Sequence, residues 1–79
     1  MSKASIYFTV NDVNGKHDVK ELKRELGAFP GVISVSVNDK TESIAVDFDT
    51  TAVQQESLQK RIEKLGYEIM HTRLDNNIM

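Results

Sequence analysis

A chain of 79 residues without a single cysteine carries 10 Lys and Arg against 12 Asp and Glu, a net charge of −2. The missing cysteines exclude disulfide staples, thiolate metal sites, iron–sulfur clusters and cysteine nucleophiles together. The charge balance supplies no cationic field for nucleic acid or for an anionic membrane.

One Pro and four Gly do not mark disorder. One small domain is expected, with a compact core, because a chain this short buries only about 60–65% of its unfolded surface. Met1 to Ser5 runs straight into an alternating pattern. No apolar stretch reaches the length of a secretory h-region or a membrane span, so a cytoplasmic protein with no membrane insertion is expected.

Ile6, Phe8 and Val10 alternate with Ser5, Tyr7 and Thr9, the period of a half-buried strand. Asn11 to Gly15 is rich in turn formers and ends it. Val19, Leu22, Leu26 and Phe29 then recur at helical spacing, with Lys20, Lys23, Arg24 and Glu25 on the other faces. Asp18 and Glu21 have the form of a capping box at the start of this helix, and Pro30-Gly31 stops it.

Val32 to Val37 reads as a second strand, Asn38 to Thr41 as a turn, and Ile44, Val46 and Phe48 as the inward side of a third strand. Thr51 and Gln54 offer a second capping box before a helix lined by Leu58, Ile62 and Leu65, closed by Gly66 at the C′ position. Tyr67 to Arg73 is expected to form the last strand with Ile69 inward. Residues 1–73 are thus one domain, and 74–79 a frayed tail.

The order strand, helix, strand, strand, helix, strand predicts an α+β, ferredoxin-like βαββαβ sandwich. Its four-stranded antiparallel sheet has strand order 4-1-3-2, with both helices on one face. Tyr7, Thr9, Ser34, Ser36, Ala45 and Asp47 would line the open face.

Three segments carry a resemblance to a known family. They are Phe29-Pro30-Gly31-Val32-x-x-Val35-x-Val37, Ile44-x-Val46-x-Phe48-Asp49, and Leu58-x-x-x-Ile62-x-x-Leu65-Gly66-Tyr67. With the strand before them, at roughly residues 4 to 70, they resemble the heavy-metal-associated domain of copper chaperones and metal-pumping ATPases. That family's chemistry rests on a Met-x-Cys-x-x-Cys segment at the first strand-to-helix junction. Counted back from Gly31, its cysteine positions fall on Gly15 and Asp18 and its methionine on Val13. Soft thiolates select Cu(I), and neither residue replaces one. The resemblance therefore implies the scaffold of a copper chaperone without its site.

A rebuilt metal site would use His17 with Asp18 and Asp12, a nitrogen and oxygen set suited to a weakly bound divalent ion of the Zn²⁺ or Ni²⁺ kind. The simpler alternative makes Asp18 a helix cap and His17 a solvated loop residue, with no cofactor. His71, four residues beyond Tyr67, is expected about 13 Å away at ~3.3 Å per residue, too far to share an ion with His17. Met1, Met70 and Met79 show no thioether spacing.

Lys16, Lys20 and Arg24, at i, i+4 and i+8 with Lys23 beside them, form a basic stripe on the first helix. In the resembled family comparable lysines help dock acidic partner domains. The stripe, with Tyr67 at the same end, is a candidate partner surface; its alternative is a solvated face neutralised by Glu21 and Glu25. An RNA-binding sheet would need stacked aromatics on the open face, where only Tyr7 stands. The Pro-Gly signature follows the first helix, whereas a ligand domain of the ACT type carries it before that helix. Lys16 is the only cation of a first loop in which acylphosphatase chemistry would need an arginine. No nucleophile has a positioned base. The expectation is a non-enzymatic interaction or accessory module, monomeric or weakly dimeric, with a protein partner. Weak metal handling through His17 is the alternative.

Overall fold

The structure, a computed structural model, describes residues 3–11, 13 and 15–77. The elements are β1 (Lys3–Val10), α1 (Gly15–Gly27), β2 (Val32–Asn38), β3 (Ser43–Asp49), α2 (Gln55–Lys64) and β4 (Ile69–Asn77). Every paired strand is antiparallel and the sheet order is β2-β3-β1-β4, the predicted order read from the other edge. This is the ferredoxin-like sandwich that the alternation and the two helical periods called for.

The core lies between one sheet face and the two helices. Ala4, Ile6, Phe8 and Val10 of β1 and Ile44, Val46 and Phe48 of β3 meet Leu22 and Leu26 of α1 and Leu58 and Ile62 of α2. The two central strands supply the fully buried residues. β2, at the sheet edge, supplies only half-buried Val32, Val35 and Val37. Between the helices, Arg61 Nη1 donates to Glu25 Oε1 at 3.0 Å while its guanidinium lies 5.3 Å from the centroid of the Phe29 ring.

The open face is polar and tied across strands. Asp47 accepts from Ser5 Oγ at 2.6 Å and from Ser34 Oγ at 3.0 Å, joining β1, β3 and β2. Arg73 stacks 4.9 Å above the Tyr7 ring and donates to Asp75 at 2.9 Å, joining β4 to β1. Tyr7, the aromatic of this face, is thus paired with a guanidinium.

Three expectations are corrected. Leu74 does not begin a tail: β4 continues to Asn77, with Leu74 opposite Ile6, Asp75 opposite Ser5 and Asn77 opposite Lys3. β4 starts at Ile69 and not at Tyr67; a register shift between Thr9 and Val10 leaves Met70 as an extra residue. That bulge turns Ile69 inward beside Val10 although His71, Arg73 and Asp75 face outward. Neither capping box forms as written. α1 begins at Gly15, which puts Asp18 in its first turn. α2 begins after Gln54, whose side chain makes no cap bond. Thr51 instead donates through its N–H and its hydroxyl to Asp49 Oδ1, at 2.9 and 2.6 Å, and these bonds hold the Asp49 carboxyl below its ordinary value.

The far end of α2 follows the sequence. The Gly66 N–H bonds to the Glu63 carbonyl at 3.0 Å and the Tyr67 N–H to the Ile62 carbonyl at 3.3 Å, a Schellman closure with Ile62 and Tyr67 both buried.

Candidate functional site

Antiparallel pairing brings three connections to one end of the sandwich: the β1–α1 loop, the β2–β3 turn and the α2–β4 turn. The Val10 N–H donates to the Glu42 carbonyl at 2.9 Å, and the Asn11 N–H to the Glu68 carbonyl at 3.0 Å. The Glu42 carboxylate reaches further into the loop and accepts from the Val13 N–H through Oε2 at 3.3 Å. Glu42 does this from φ +53, a left-handed conformation that costs a residue with a Cβ about 1–2 kcal/mol.

The family's thiolate positions lie at this end. Gly15 opens α1 at φ +74, with nothing within 4 Å of where a Cβ would stand. A cysteine there would have room but a strained backbone. Asp18 lies in the first turn of α1, near enough to Tyr67 for its charge to act on the phenol. Tyr67 is 8% exposed and belongs to the core cluster, so its ring offers a partner little surface. Burial first, then the charge and hydrogen bond of Asp18, and last the charge of Glu21, push its phenol up to about 12.

The sign follows from the unfolded phenol titrating near its ordinary 10.0. The stabilisation from keeping Tyr67 protonated is complete below pH 10 and is lost as pH rises toward about 12. In an absorbance titration, subtracting the Tyr67→Phe variant should leave a single tyrosinate step near pH 12. A step at the ordinary value would contradict the buried hydrogen bond.

His17 is solvated, its side chain 87% exposed, with Nδ1 at 3.6 Å from Asp18 Oδ1. Asp12, the third member of the rebuilt metal set, lies outside the described residues. Among the described residues no three metal-capable side chains gather. His71 is kept apart from His17 by face and not by length along the strand. It pairs with Thr9 at the loop end of the sheet but stands on the open side, opposite α1.

Along α1, Lys16, Lys20, Lys23 and Arg24 are all exposed. Of the carboxylates on this helix, Glu25 turns to Arg61 at 3.0 Å and keeps a 3.8 Å approach to Arg24, itself 75% exposed. Half-buried Glu21 lines one surface depression with His17, Lys20 and Arg24.

Three connections meeting at one end of a cysteine-free βαββαβ sandwich define a small ferredoxin-like domain. The heavy-metal-associated domain model matches residues 8–68, and the chain belongs to that family. It is 33% identical to the copper chaperone CopZ of Enterococcus hirae over 61 residues, which cover 77% of this chain and 88% of that protein. Among solved structures it is similar to the water-soluble region of the P-type ATPase CopA from Bacillus subtilis, at 28% identity and a TM-score of 0.81. That match covers 87% of this chain and 46% of the other. It shares the fold of oxidized MerP from Ralstonia metallidurans, at 20% identity and a TM-score of 0.77, covering 87% and 99%.

A copper ion, which the name copper chaperone implies for CopZ, does not fit the residues here: Gly15 has no side chain, Val13 has no side-chain donor atom, and the Asp18 carboxylate is a hard ligand. Among the described residues, no helix is long and apolar enough to cross a membrane.

Proposed function

We propose that this heavy-metal-associated domain is a non-enzymatic, cytoplasmic interaction module that works without a thiolate site. It docks an acidic protein surface on the exposed stripe of Lys16, Lys20, Lys23 and Arg24. The observation that carries the reading is the exposure of all four cations, with Glu25 turned to Arg61 at 3.0 Å and left at 3.8 Å from Arg24. Such a surface speeds and orients encounter with an oppositely charged partner and weakens with salt.

The test is affinity capture with the intact protein, with a Lys16→Glu/Lys20→Glu/Arg24→Glu variant, and with a Lys60→Glu/Lys64→Glu control on α2. The stripe variant should lose the salt-sensitive partners, with recovery falling about tenfold as expected for a loss of about 1.4 kcal/mol. The control should keep them. An unchanged partner set in the stripe variant would remove this surface from the account.

A second reading rests on the 3.6 Å approach of His17 to Asp18 beside the loop that holds Asp12. These residues would hold a divalent ion of the Zn²⁺ or Ni²⁺ kind weakly, with a partner or a second copy completing the shell. The engagement of Asp18 by Tyr67 weighs against it.

A further inference from the structure

We propose that Glu42 is a positioning residue: its carbonyl and its carboxylate together latch Val10 and Val13 of the β1–α1 connection in place, a task that ligation performs in a metal-loaded loop. The inference does not depend on which partner the domain binds.

Three observations carry it. Glu42 holds the β1–α1 connection twice, through its carbonyl to the Val10 N–H at 2.9 Å and through Oε2 to the Val13 N–H at 3.3 Å. It does so from φ +53, where glycine or asparagine would be the unstrained choice for a turn. A charged, β-methylene-bearing residue kept in that conformation is accounted for if its carboxylate is needed. Val13 is also the position at which the thiolate family places its methionine.

A ligand-bound metal crosslinks chain segments and lends them its binding free energy. Hydrogen bonds to carboxylates do the same at lower strength and need no ion. The loop end would then have one shape at all times, which suits a docking surface and not a site that loads and unloads cargo.

Amide hydrogen exchange tests the latch. Val13 reports the Glu42 bond. Val19 and Lys20 report the α1 start, because the four amides before them have no partner within the helix. In Glu42→Gly, which relieves the backbone strain, Val13, Val19 and Lys20 should exchange about tenfold faster or more while Ile6 and Val46 stay protected. Glu42→Gln, whose side-chain oxygen still accepts, should keep most of the protection.

Unchanged exchange at Val13 in Glu42→Gly would overturn the proposal. So would loosening spread evenly over Ile6 and Val46, which would make Glu42 a turn residue only.

Discussion

Replacing Gly31 by alanine is expected to cost about 3 kcal/mol of stability, a large share of what a domain of this size has. Two separate penalties add. Gly31 sits at φ +96, where a Cβ costs about 1–2 kcal/mol. The new methyl carbon would also stand 2.5 Å from the Ala52 Cβ, on the segment between β3 and α2. Neither side yields easily, because the Gly31 carbonyl accepts from the Asp49 N–H at 2.8 Å and the Ala52 N–H donates to the Asp49 carbonyl at 3.0 Å. The second penalty is removable. In the Gly31→Ala/Ala52→Gly double variant the clash goes and the left-handed conformation remains, so about half of the loss should return. Urea unfolding of the four proteins of this cycle measures it. A loss below about 1 kcal/mol, or a double variant no better than the single, would show that the two segments do not meet as described.

Leu22→Ala is expected to cost about 3–4 kcal/mol, within the range for a fully buried leucine. Leu22 is one of two α1 side chains with no exposure, Leu26 being the other. These two carry most of the attachment of the helix that displays the basic stripe. A domain of 79 residues has about 4–12 kcal/mol in all. The variant should therefore sit close to its unfolding midpoint and lose partner capture for lack of a folded helix. Val19→Ala, at a half-buried site on the same helix, should cost only about 1 kcal/mol. Thermal unfolding checks both. Equal losses at the two positions would mean that α1 packs differently from the arrangement described.

The contrast between these two substitutions also shows what could be read from the sequence. Leu22 and Leu26 were legible because 3.6-residue spacing identifies a buried helix face without knowing what lies against it. Gly31 was legible as a helix stop and as part of a family signature. Its contact with Ala52 joins segments about twenty residues apart, and local pattern does not encode such a contact. The strand order followed from the element order and the rules of connection.

The misses have physical causes as well. Thr51 looked like a cap, but its hydroxyl was claimed by Asp49, an acceptor two residues earlier. The segment from Leu74 onward alternates too weakly to be read as a strand, because its outward Asp75 and half-exposed Leu74 carry little contrast. Pairing with β1 supplies the order. Met70 was invisible as a bulge, so His71 was placed by counting along a regular strand.

Of the candidate site, the stripe residues and the displaced thiolate positions were readable directly. Asp18 was read as a cap or a metal ligand, and α1 begins three residues before it, at Gly15. Glu42 was missed altogether. Its role depends on a turn that pairing brings beside the first loop, and the only sequence cue was a glutamate at the end of a turn where glycine or asparagine fits better.

The central claim is that this member of a metal-handling family works at its loop end without a metal. The most direct test is to add Cu⁺, Zn²⁺ and Ni²⁺ in turn to the isotope-labelled protein and follow its amide resonances. The account predicts no saturable shift at Val13 or across Gly15–Val19 up to millimolar ion. Saturable shifts confined to that segment at micromolar ion, and abolished by His17→Ala, would contradict it.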